Sequence, residues 1–239
     1  MIVCLDSGNT RIKWGVHDGT GWLAQGAVLH ADVWQLSQLA EQWPYPERVV
    51  LANVAGEDAG QRIRQQLVPW QKVLCEVKST PRCCGVTNLY NIPERLGVDR
   101  WCALIGAWAM FRKACVVVMA GTATTIDTLD AQGNFLGGDI LPGVGMMQGA
   151  LARGTAALPF AEGRYVSYPR GTDDAIVSGV LEAQAGAVER VYARLRDPEG
   201  LCVLSGGYSE GIIGCLVVKA RLAQNLPLEG LARIAREMS

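Results

Sequence analysis

The chain lacks the features that mark an exported, zinc-binding or membrane-spanning protein. Its 239 residues include only two histidines and no cysteines spaced CxxC, so the sequence predicts no zinc site. The longest wholly apolar run, Ala114 to Ala120, has seven residues, whereas crossing a bilayer takes roughly 20. Met1 to Leu5 reaches Asp6 too soon to form the core of a signal peptide. We therefore expect a cytoplasmic protein with no membrane partner.

An excess of charge of one sign is also absent. The 22 basic and 23 acidic side chains leave a formal net charge of -1, without the basic stripe typical of nucleic-acid-binding proteins. Hydrophobic residues make up 49% of the chain and charged residues 19%, which is enough apolar material for a packed core. Domains usually have about 100 to 200 residues, so the length allows one large or two small domains.

The eight cysteines fall mostly in apolar stretches, where a reduced cysteine packs as a small hydrophobe. Without export, a disulfide framework is not expected. The adjacent pair Cys83 and Cys84 allows two interpretations, a redox-active pair or a reduced pair in a loop. The sequence favours the reduced pair.

The chain carries one order of elements twice, about 113 residues apart. Runs rich in apolar and β-branched residues predict strands, and apolar residues at helical spacing predict helices. In the first half these are strands over Ile2 to Leu5, Ile12 to His17, Trp22 to Leu29 and Val49 to Ala52, and a helix over Asp32 to Trp43. In the second half they are strands over Cys115 to Met119, Ile126 to Leu129, Phe135 to Leu141 and Leu201 to Leu204, and a helix over Asp173 to Leu195.

Such a duplication predicts two similar α/β domains with a cleft between them. A helix over Arg100 to Arg112 would close the first domain. We therefore predict domains at residues 1–113 and 114–239, with the last helix of the chain able to pack back on the first domain.

A glycine-containing turn follows the first strand of each half, in Asp6-Ser7-Gly8-Asn9-Thr10 and in Gly121-Thr122-Ala123-Thr124-Thr125. Glycine allows close approach of a ligand, and successive backbone N–H groups form a cradle for anions. Asp6 adds a carboxylate for Mg²⁺ and Lys13 adds a cation, as phosphoryl transfer requires. Each turn alone is also an ordinary strand exit. At matching places in two halves, however, they indicate phosphate binding, without a P-loop or a Rossmann motif.

Two further segments combine glycine with charged residues. Leu96-Gly97-Val98-Asp99-Arg100 places an acid and a base at the start of a predicted helix, where Asp99 is either a helix cap or a functional carboxylate. Gly137 to Gly143 is either a bulge and a turn, or a place of close approach to a nucleotide.

Taken together, these motifs resemble those of the type III pantothenate kinases, in the branch first called Bvg accessory factors. The matching segments are Asp6 to Thr10 with Lys13, Tyr90 with Pro93, Gly97 to Arg100, Gly121 to Thr125, Gly137 to Gly143 and Leu228 to Leu231. The resemblance implies an α/β fold of two duplicated ribonuclease H-like domains, as in the actin, Hsp70 and sugar-kinase superfamily, with a nucleotide cleft between the domains.

The resemblance also implies the activity: ATP-dependent phosphorylation of pantothenate to 4′-phosphopantothenate, the first step of coenzyme A synthesis. It implies a homodimer in which the partner subunit completes the pantothenate pocket. The implied ATP-binding residues are Asp6, Ser7, Gly8, Asn9, Thr10, Arg11, Ile12, Lys13 and Thr122. The implied pantothenate-binding residues are Tyr90, Gly97, Val98, Asp99, Arg100 and Thr172.

Three of these positions carry the implied chemistry. Asp99 would accept the proton of the pantothenate hydroxyl, and Asp6 would lie nearest Mg²⁺ and hold it through water. Arg100 would either neutralise the transferring phosphoryl group or hold the substrate carboxylate. Two other functions remain open, a kinase for another small hydroxylated acceptor and a nucleotide-binding regulator without catalysis.

One position departs from the family pattern. Many members have an aspartate two residues before the Gly-Thr motif, where it helps to bind a monovalent cation, but this chain has Met119. Methionine offers only a weak thioether acceptor. The enzyme would then work without K⁺ or NH₄⁺, use another carboxylate such as Asp127, or take the cation on backbone and phosphate oxygens.

Overall fold

The structure, a computed structural model, describes residues 1–238. The chain divides into two compact units, one formed by Met1–Arg112 together with the chain from Leu226 onward, the other by Lys113–Asn225. This division lies one residue from the predicted boundary, and the last helix counts with the first unit.

The first unit is built on a five-stranded sheet with the order β3-β2-β1-β4-β5. Its strands are β1 (Ile2–Ser7), β2 (Arg11–His17), β3 (Trp22–Leu29), β4 (Arg48–Asn53) and β5 (Leu74–Glu76). The first three strands are antiparallel, whereas β4 runs parallel to β1 and β5 parallel to β4. The carboxyl ends of β1 and β4 therefore lie side by side at one edge of the sheet.

Helices α1 (Gln35–Gln42) and α2 (Glu57–Gln66) follow β3 and β4 in the chain. Each has one apolar stripe, so each buries that stripe in the core of the unit and leaves its polar face to solvent. The largest side chains fully buried in this core are Leu5, Ile12, Leu36, Leu51, Ile63, Leu67 and Trp70.

A short hairpin, β6 (Arg82–Cys83) and β7 (Val86–Asn88), precedes helix α3 (Val98–Phe111). Nearly every residue in the first three turns of α3 is buried. A helix that is apolar on all sides must be covered on all sides. Part of this cover comes from the last helix, α7.

The second unit repeats the topology of the first, with the strand order β12-β11-β8-β9-β10. Its strands are β8 (Cys115–Ala120), β9 (Ala123–Leu129), β10 (Asn134–Pro142), β11 (Leu201–Ser205) and β12 (Ala220–Leu222). Its helices are α4 (Val144–Gly154), α5 (Thr172–Leu195) and α6 (Ser209–Ile213). Again three antiparallel strands continue into two parallel ones, so the predicted duplication of an α/β fold is confirmed.

Helix α7 (Leu226–Glu237) packs against α3 at backbone distance. A Cβ atom at Gly230 would lie 1.8 Å from the carbonyl oxygen of Cys102, and one at Gly106 would lie 2.4 Å from that of Leu226. Only glycine at both positions allows the two helices to approach so closely.

Side chains join the same helix to the sheet of the first unit. Trp22 donates its indole N–H to the Glu229 carboxylate at 2.6 Å, and Arg48 donates to the carbonyl of Ala235 at 2.7 Å. The end of the chain is thus fixed against the start of the same unit.

The predicted strands and long helices are present with small shifts of their ends. The predicted helix over Asp32 to Trp43 is divided into a 3-10 turn at His30–Asp32 and helix α1. The sequence analysis did not identify α2, α4, α6 or the short strands β5, β6, β7 and β12. Among residues 1–238, no helix combines the length and the apolar character that spanning a membrane requires.

Candidate active site

The turn after β1 begins the candidate site. Its backbone is closed by the Gly8 N–H, which donates to the Arg11 carbonyl at 3.2 Å. On the other side, the Gly8 carbonyl is 2.7 Å from Nε2 of His30. This hydrogen bond connects the turn after β1 to the 3-10 turn that follows β3. Sequence analysis did not find the contact, because His30 has no motif and lies 22 residues away.

Asp6 is the buried carboxylate at the end of β1, with only 8% of its surface exposed. Its Oδ1 atom is buried and has no hydrogen-bond partner. Burial, and to a lesser extent the charge of Asp99, raise the pKa of Asp6 to about 7, while Lys13 acts in the opposite direction. Lys13 lies opposite Asp6 in the β1–β2 register. A buried carboxylate with a raised pKa and an unpartnered oxygen suits a cationic ligand, because a cation would stabilise the charged form of Asp6.

Asp99 is the second residue of α3 and is half-buried. The N-cap position belongs to Gly97, so Asp99 is not the N-cap residue of this helix. Its Oδ1 accepts the backbone N–H of Arg100 at 2.8 Å. A carboxylate is favoured in the first helical turn by the helix dipole, and here its charge also acts on Asp6.

Arg100 is 5% exposed, although arginine is seldom buried without partners. Its Nη1 donates to the Tyr90 hydroxyl at 3.1 Å, and its guanidinium carbon lies 5.6 Å from the centre of the Tyr90 ring. The contact combines a hydrogen bond with a cation–π interaction. It places a fixed positive charge next in sequence to Asp99.

Two buried polar residues hold the segment that carries Tyr90. The Asn88 side chain accepts the Tyr90 N–H at 3.1 Å and donates to the Pro93 carbonyl at 3.1 Å. The Ser79 hydroxyl donates to the carbonyl of Leu96 at 2.8 Å. Sequence analysis missed both residues, because isolated Ser and Asn are typical of any loop and only their burial reveals the role.

In the second unit, the Gly121–Thr122 turn lies at the end of β8. Gly143 and Gly206 both come close to it: a Cβ atom at Gly143 would lie 2.3 Å from the Gly121 carbonyl, and one at Gly206 would lie 2.4 Å from the Ala120 carbonyl. Gly206 also has a φ of 109°. The hydroxyls of Thr124, Thr125 and Ser205 are buried near these strand ends without hydrogen-bond partners. Only glycine at positions 143 and 206 allows the backbone segments to approach so closely.

Thr172 is the first residue of α5 and is exposed. It lies at an open groove of about 650 Å³ in the second unit. The groove is formed mainly by apolar residues of α4 and α5, which include Met147, Ala150, Leu151, Ala175, Ile176, Gly179, Val180 and Ala183.

The structure thus groups the predicted residues by unit. The first unit brings Asp6, Lys13 and Asp99 into electrostatic contact and joins Arg100 to Tyr90. Thr122 and Thr172 belong to the second unit. Two of the predicted binding residues are apolar and buried, Ile12 at 0% and Val98 at 8% exposure, so their side chains belong to the core.

Asp127, the predicted alternative carboxylate, does not take the place of an aspartate at Met119. Asp127 pairs with Val117, two residues before Met119, and is fully buried. Its carboxylate lies against Gly138 of β10, where a Cβ atom would be only 2.0 Å from Oδ1. Asp127 is therefore held within the sheet and not at the Gly121 turn.

The architecture agrees with solved structures that share little sequence with this chain. A protein from Campylobacter jejuni described as a Baf family transcriptional activator aligns with a TM-score of 0.63 and 20% identity, over 99% of this chain and 98% of that one. A 2-dehydro-3-deoxygalactonokinase protein from Sinorhizobium meliloti aligns with a TM-score of 0.61 and 14% identity, over 100% and 99%. These likenesses show that the chain shares the fold of these two proteins.

Sequence comparison gives the family. The profile described as type III pantothenate kinase matches residues 2–194. The type III pantothenate kinase of Dechloromonas aromatica is 68% identical over 98% of this chain and 99% of its own length. That of Aromatoleum aromaticum is 50% identical over 99% and 98%. The predicted resemblance is confirmed, and the chain belongs to the type III pantothenate kinase family.

Proposed function

We propose that this chain phosphorylates pantothenate with ATP, giving 4′-phosphopantothenate for coenzyme A synthesis, and that Asp99 is its catalytic base. The observation that carries the assignment is that the charges of Asp99 and Lys13 both act on the buried carboxylate of Asp6, in opposite directions on its pKa. The two acids can have different roles because their environments differ: the buried Asp6 can face a cation, and the half-buried Asp99 can accept a proton.

The reaction follows from these positions. The Asp99 carboxylate accepts the proton of the pantothenate hydroxyl. The hydroxyl oxygen then bonds to the γ-phosphorus of ATP while the bond between that phosphorus and the ADP oxygen breaks. The base must lie within about 2.6–3.2 Å of that hydroxyl. The position of Asp99 in the first turn of a buried helix restricts its movement, which supports this role.

The phosphates of ATP are assigned to the turn after β1, Ser7 to Thr10, with Arg11, the Ile12 backbone and Lys13, and to Thr122 of the second unit. Backbone N–H groups and Lys13 would neutralise phosphate charge. Asp6 would hold Mg²⁺ through water, and its buried, unpartnered Oδ1 fits such a role. When bound, Mg²⁺ supplies charge that offsets the phosphates.

Pantothenate is assigned to the side of the site where Tyr90, the Gly97–Val98 backbone and Arg100 lie. Arg100 donates to the hydroxyl of Tyr90, another residue assigned to this substrate, which favours the substrate carboxylate over the phosphoryl group as its ligand. Thr172 is assigned to the same substrate, through a homodimer in which each subunit completes the pocket of its partner.

The first prediction concerns the base. Asp99→Asn should lower kcat by about 10²- to 10⁴-fold, since losing a general base has an effect of that size, and should leave the Kd for ATP nearly unchanged. Phosphopantothenate formation and ATP binding are measured on the same sample. Glu94→Gln, an exposed acid in the preceding 3-10 turn, is the matched control and should remain active. Normal turnover by a folded Asp99→Asn protein would remove Asp99 from the mechanism, and absence of product from the wild-type chain would favour a regulator.

The second prediction concerns Asp6 and pH. The folded chain keeps the Asp6 proton up to about pH 7, whereas the unfolded chain loses it near 3.8, so the folded state binds more protons between these values. Stability then falls as pH rises through this window, by at most about 4 kcal/mol. Asp6→Asn removes this loss, so without ligands the variant should match wild type at pH 4 and be more stable at pH 8, while losing Mg²⁺-dependent turnover.

The control is Asp18, whose effect on stability depends on pH in the opposite direction. Backbone N–H groups of Gly21 and Thr20 lower the pKa of Asp18 to about 2. Its stabilising effect is present above pH 4 and is lost as pH falls toward 2. Asp18→Asn should therefore be less stable than wild type at pH 8. Urea unfolding of both variants at several pH values measures the effect, and equal pH profiles for Asp6→Asn and wild type would contradict the assignment.

The third prediction concerns the monovalent cation. Hard cations prefer oxygen ligands, and here Met119 replaces the aspartate. We expect weak or absent activation by K⁺ or NH₄⁺ in sodium-free Tris at constant ionic strength, with Mg²⁺ still required. Met119→Asp should restore K⁺ activation, and Met119→Leu should not. A large, K⁺-specific stimulation of the wild-type chain would show that other oxygens form the site.

The fourth prediction concerns the dimer. The exposed residues Ala175, Gly179 and Ala183 follow one another at intervals of four on one face of α5, at the apolar groove that also includes Thr172. A Cβ atom at Gly179 would meet nothing within 4 Å, so Gly179→Arg should fold, become a monomer and lose affinity for pantothenate. Gly21→Arg, at an equally open glycine of the first unit, is the control. Sedimentation at micromolar concentration decides, and a fully active wild-type monomer would refute the dimer.

A further inference from the structure

The turn of the β6–β7 hairpin carries a cysteine where turn chemistry does not favour one. Cys83 pairs with Val86, which leaves Cys84 and Gly85 as a two-residue turn with φ values of 54° and 82°. Positive φ at both positions is the mark of a type I′ turn, where Asn-Gly and Asp-Gly are preferred. A non-glycine residue other than Asn or Asp is uncommon in this conformation. Cys84 is therefore not explained by the turn itself.

The two thiols point to the same place. Sγ of Cys83 lies 3.5 Å from Sγ of Cys84, and Cys84 is 5% exposed. Adjacent Cα atoms are about 3.8 Å apart, below the roughly 4.4–6.8 Å usual across a disulfide. A cation of the Zn²⁺ class bonds thiolate at about 2.3 Å, so the present sulfur separation corresponds to an S–Zn–S angle of about 100°, near tetrahedral. The pair suits a shared metal better than a disulfide.

A third ligand comes from the other end of the chain. The Glu237 carboxylate of α7 lies beside Cys83 and Cys84. The two sulfurs and a Glu237 oxygen all lie within 4.8 Å of one another. Around a tetrahedral zinc ion, sulfur and oxygen ligands are about 3.6 Å apart. The exposed Glu237 side chain needs to move by only about 1 Å to reach that distance.

The surroundings supply both water and compensating charge. A cavity of about 360 Å³ beside Cys84 and Glu237 is lined by Arg112, Arg233 and Arg236. Two thiolates and a carboxylate carry three negative charges, and a divalent cation leaves one, which the arginines offset. The two sulfurs are within hydrogen-bonding distance of each other, and binding of the cation would displace the thiol protons.

We propose that Cys83, Cys84 and Glu237 form a binding site for a thiophilic divalent cation of the Zn²⁺ class, with water from the cavity as the fourth ligand. The site connects the β6–β7 hairpin to α7 within the first unit. It is separate from the kinase chemistry and does not depend on the proposed function. The spacing of histidine and cysteine in the sequence predicts no zinc site, because the third ligand, Glu237, lies near the other end of the chain.

The test uses the full chain, stripped of metal by a chelator and kept reduced with a phosphine. Zn²⁺ is titrated against a chromogenic chelator, and Co²⁺ is added as a spectroscopic probe. We expect one Zn²⁺ per chain and thiolate-to-cobalt charge-transfer absorption. Loss of a residue that only hydrogen-bonds to a metal ligand lowers the metal affinity by about 10- to 100-fold. Cys83→Ser and Cys84→Asn should therefore weaken binding by more than about 100-fold, and Glu237→Gln by about 10-fold.

The variants separate ligand loss from misfolding. Cys84→Asn places a residue preferred in a type I′ turn at that position, and Glu237→Gln changes an exposed side chain, so both should fold as wild type does by circular dichroism. Cys75→Ser and Cys215→Ser remove half-buried thiols elsewhere and should bind Zn²⁺ normally. The proposal is overturned if wild type binds less than one equivalent, if the cobalt spectrum lacks the thiolate band, or if Cys83→Ser and Cys84→Asn bind as wild type does.

Discussion

The close contact between α3 and α7 is the constraint on which the first unit depends. Gly230 and Gly106 remove the side chains that would otherwise hold these helices apart. The contact covers a helix that is apolar on nearly every side, and the first turn of that helix presents Asp99. The same contact brings Glu237 to the β6–β7 hairpin. Two glycines thus join the helices that carry Asp99 and Glu237.

The buried carboxylate of Asp6 is held in place by the core of the first unit. A buried carboxylate without a hydrogen-bond partner for one oxygen is unfavourable for folding. The core beneath it, with Leu5 and Ile12 fully buried on either side of the turn, holds the strand end in place despite that penalty. A cationic ligand would relieve the same penalty, so binding energy and folding energy are linked at this residue. A buried polar atom without a partner is uncommon in folded proteins, and an ion that binds there would account for it.

The sequence alone was sufficient for features that are local or repeated. Strands β1 to β4 and β8 to β11 were found because each is an apolar run ended by turn residues, and the repetition itself predicted the duplicated α/β fold. Features that depend on distant residues were not found. The burial of Asn88, the His30 contact to Gly8 and the approach of Glu237 to Cys84 join segments that are unremarkable in themselves. The amphipathic helix α2 was missed because most of its residues are polar.

The duplication also explains why Met119 matters. Asp6 is the fifth residue of β1, and Met119 is the fifth residue of β8, the corresponding strand of the second unit. Each precedes its glycine turn by two residues, and each lies beside a residue of the neighbouring parallel strand, Ala52 or Ser205. The aspartate that many family members have at the Met119 position is thus the counterpart of Asp6. This chain has a carboxylate at this place in one copy of the fold and a thioether in the other.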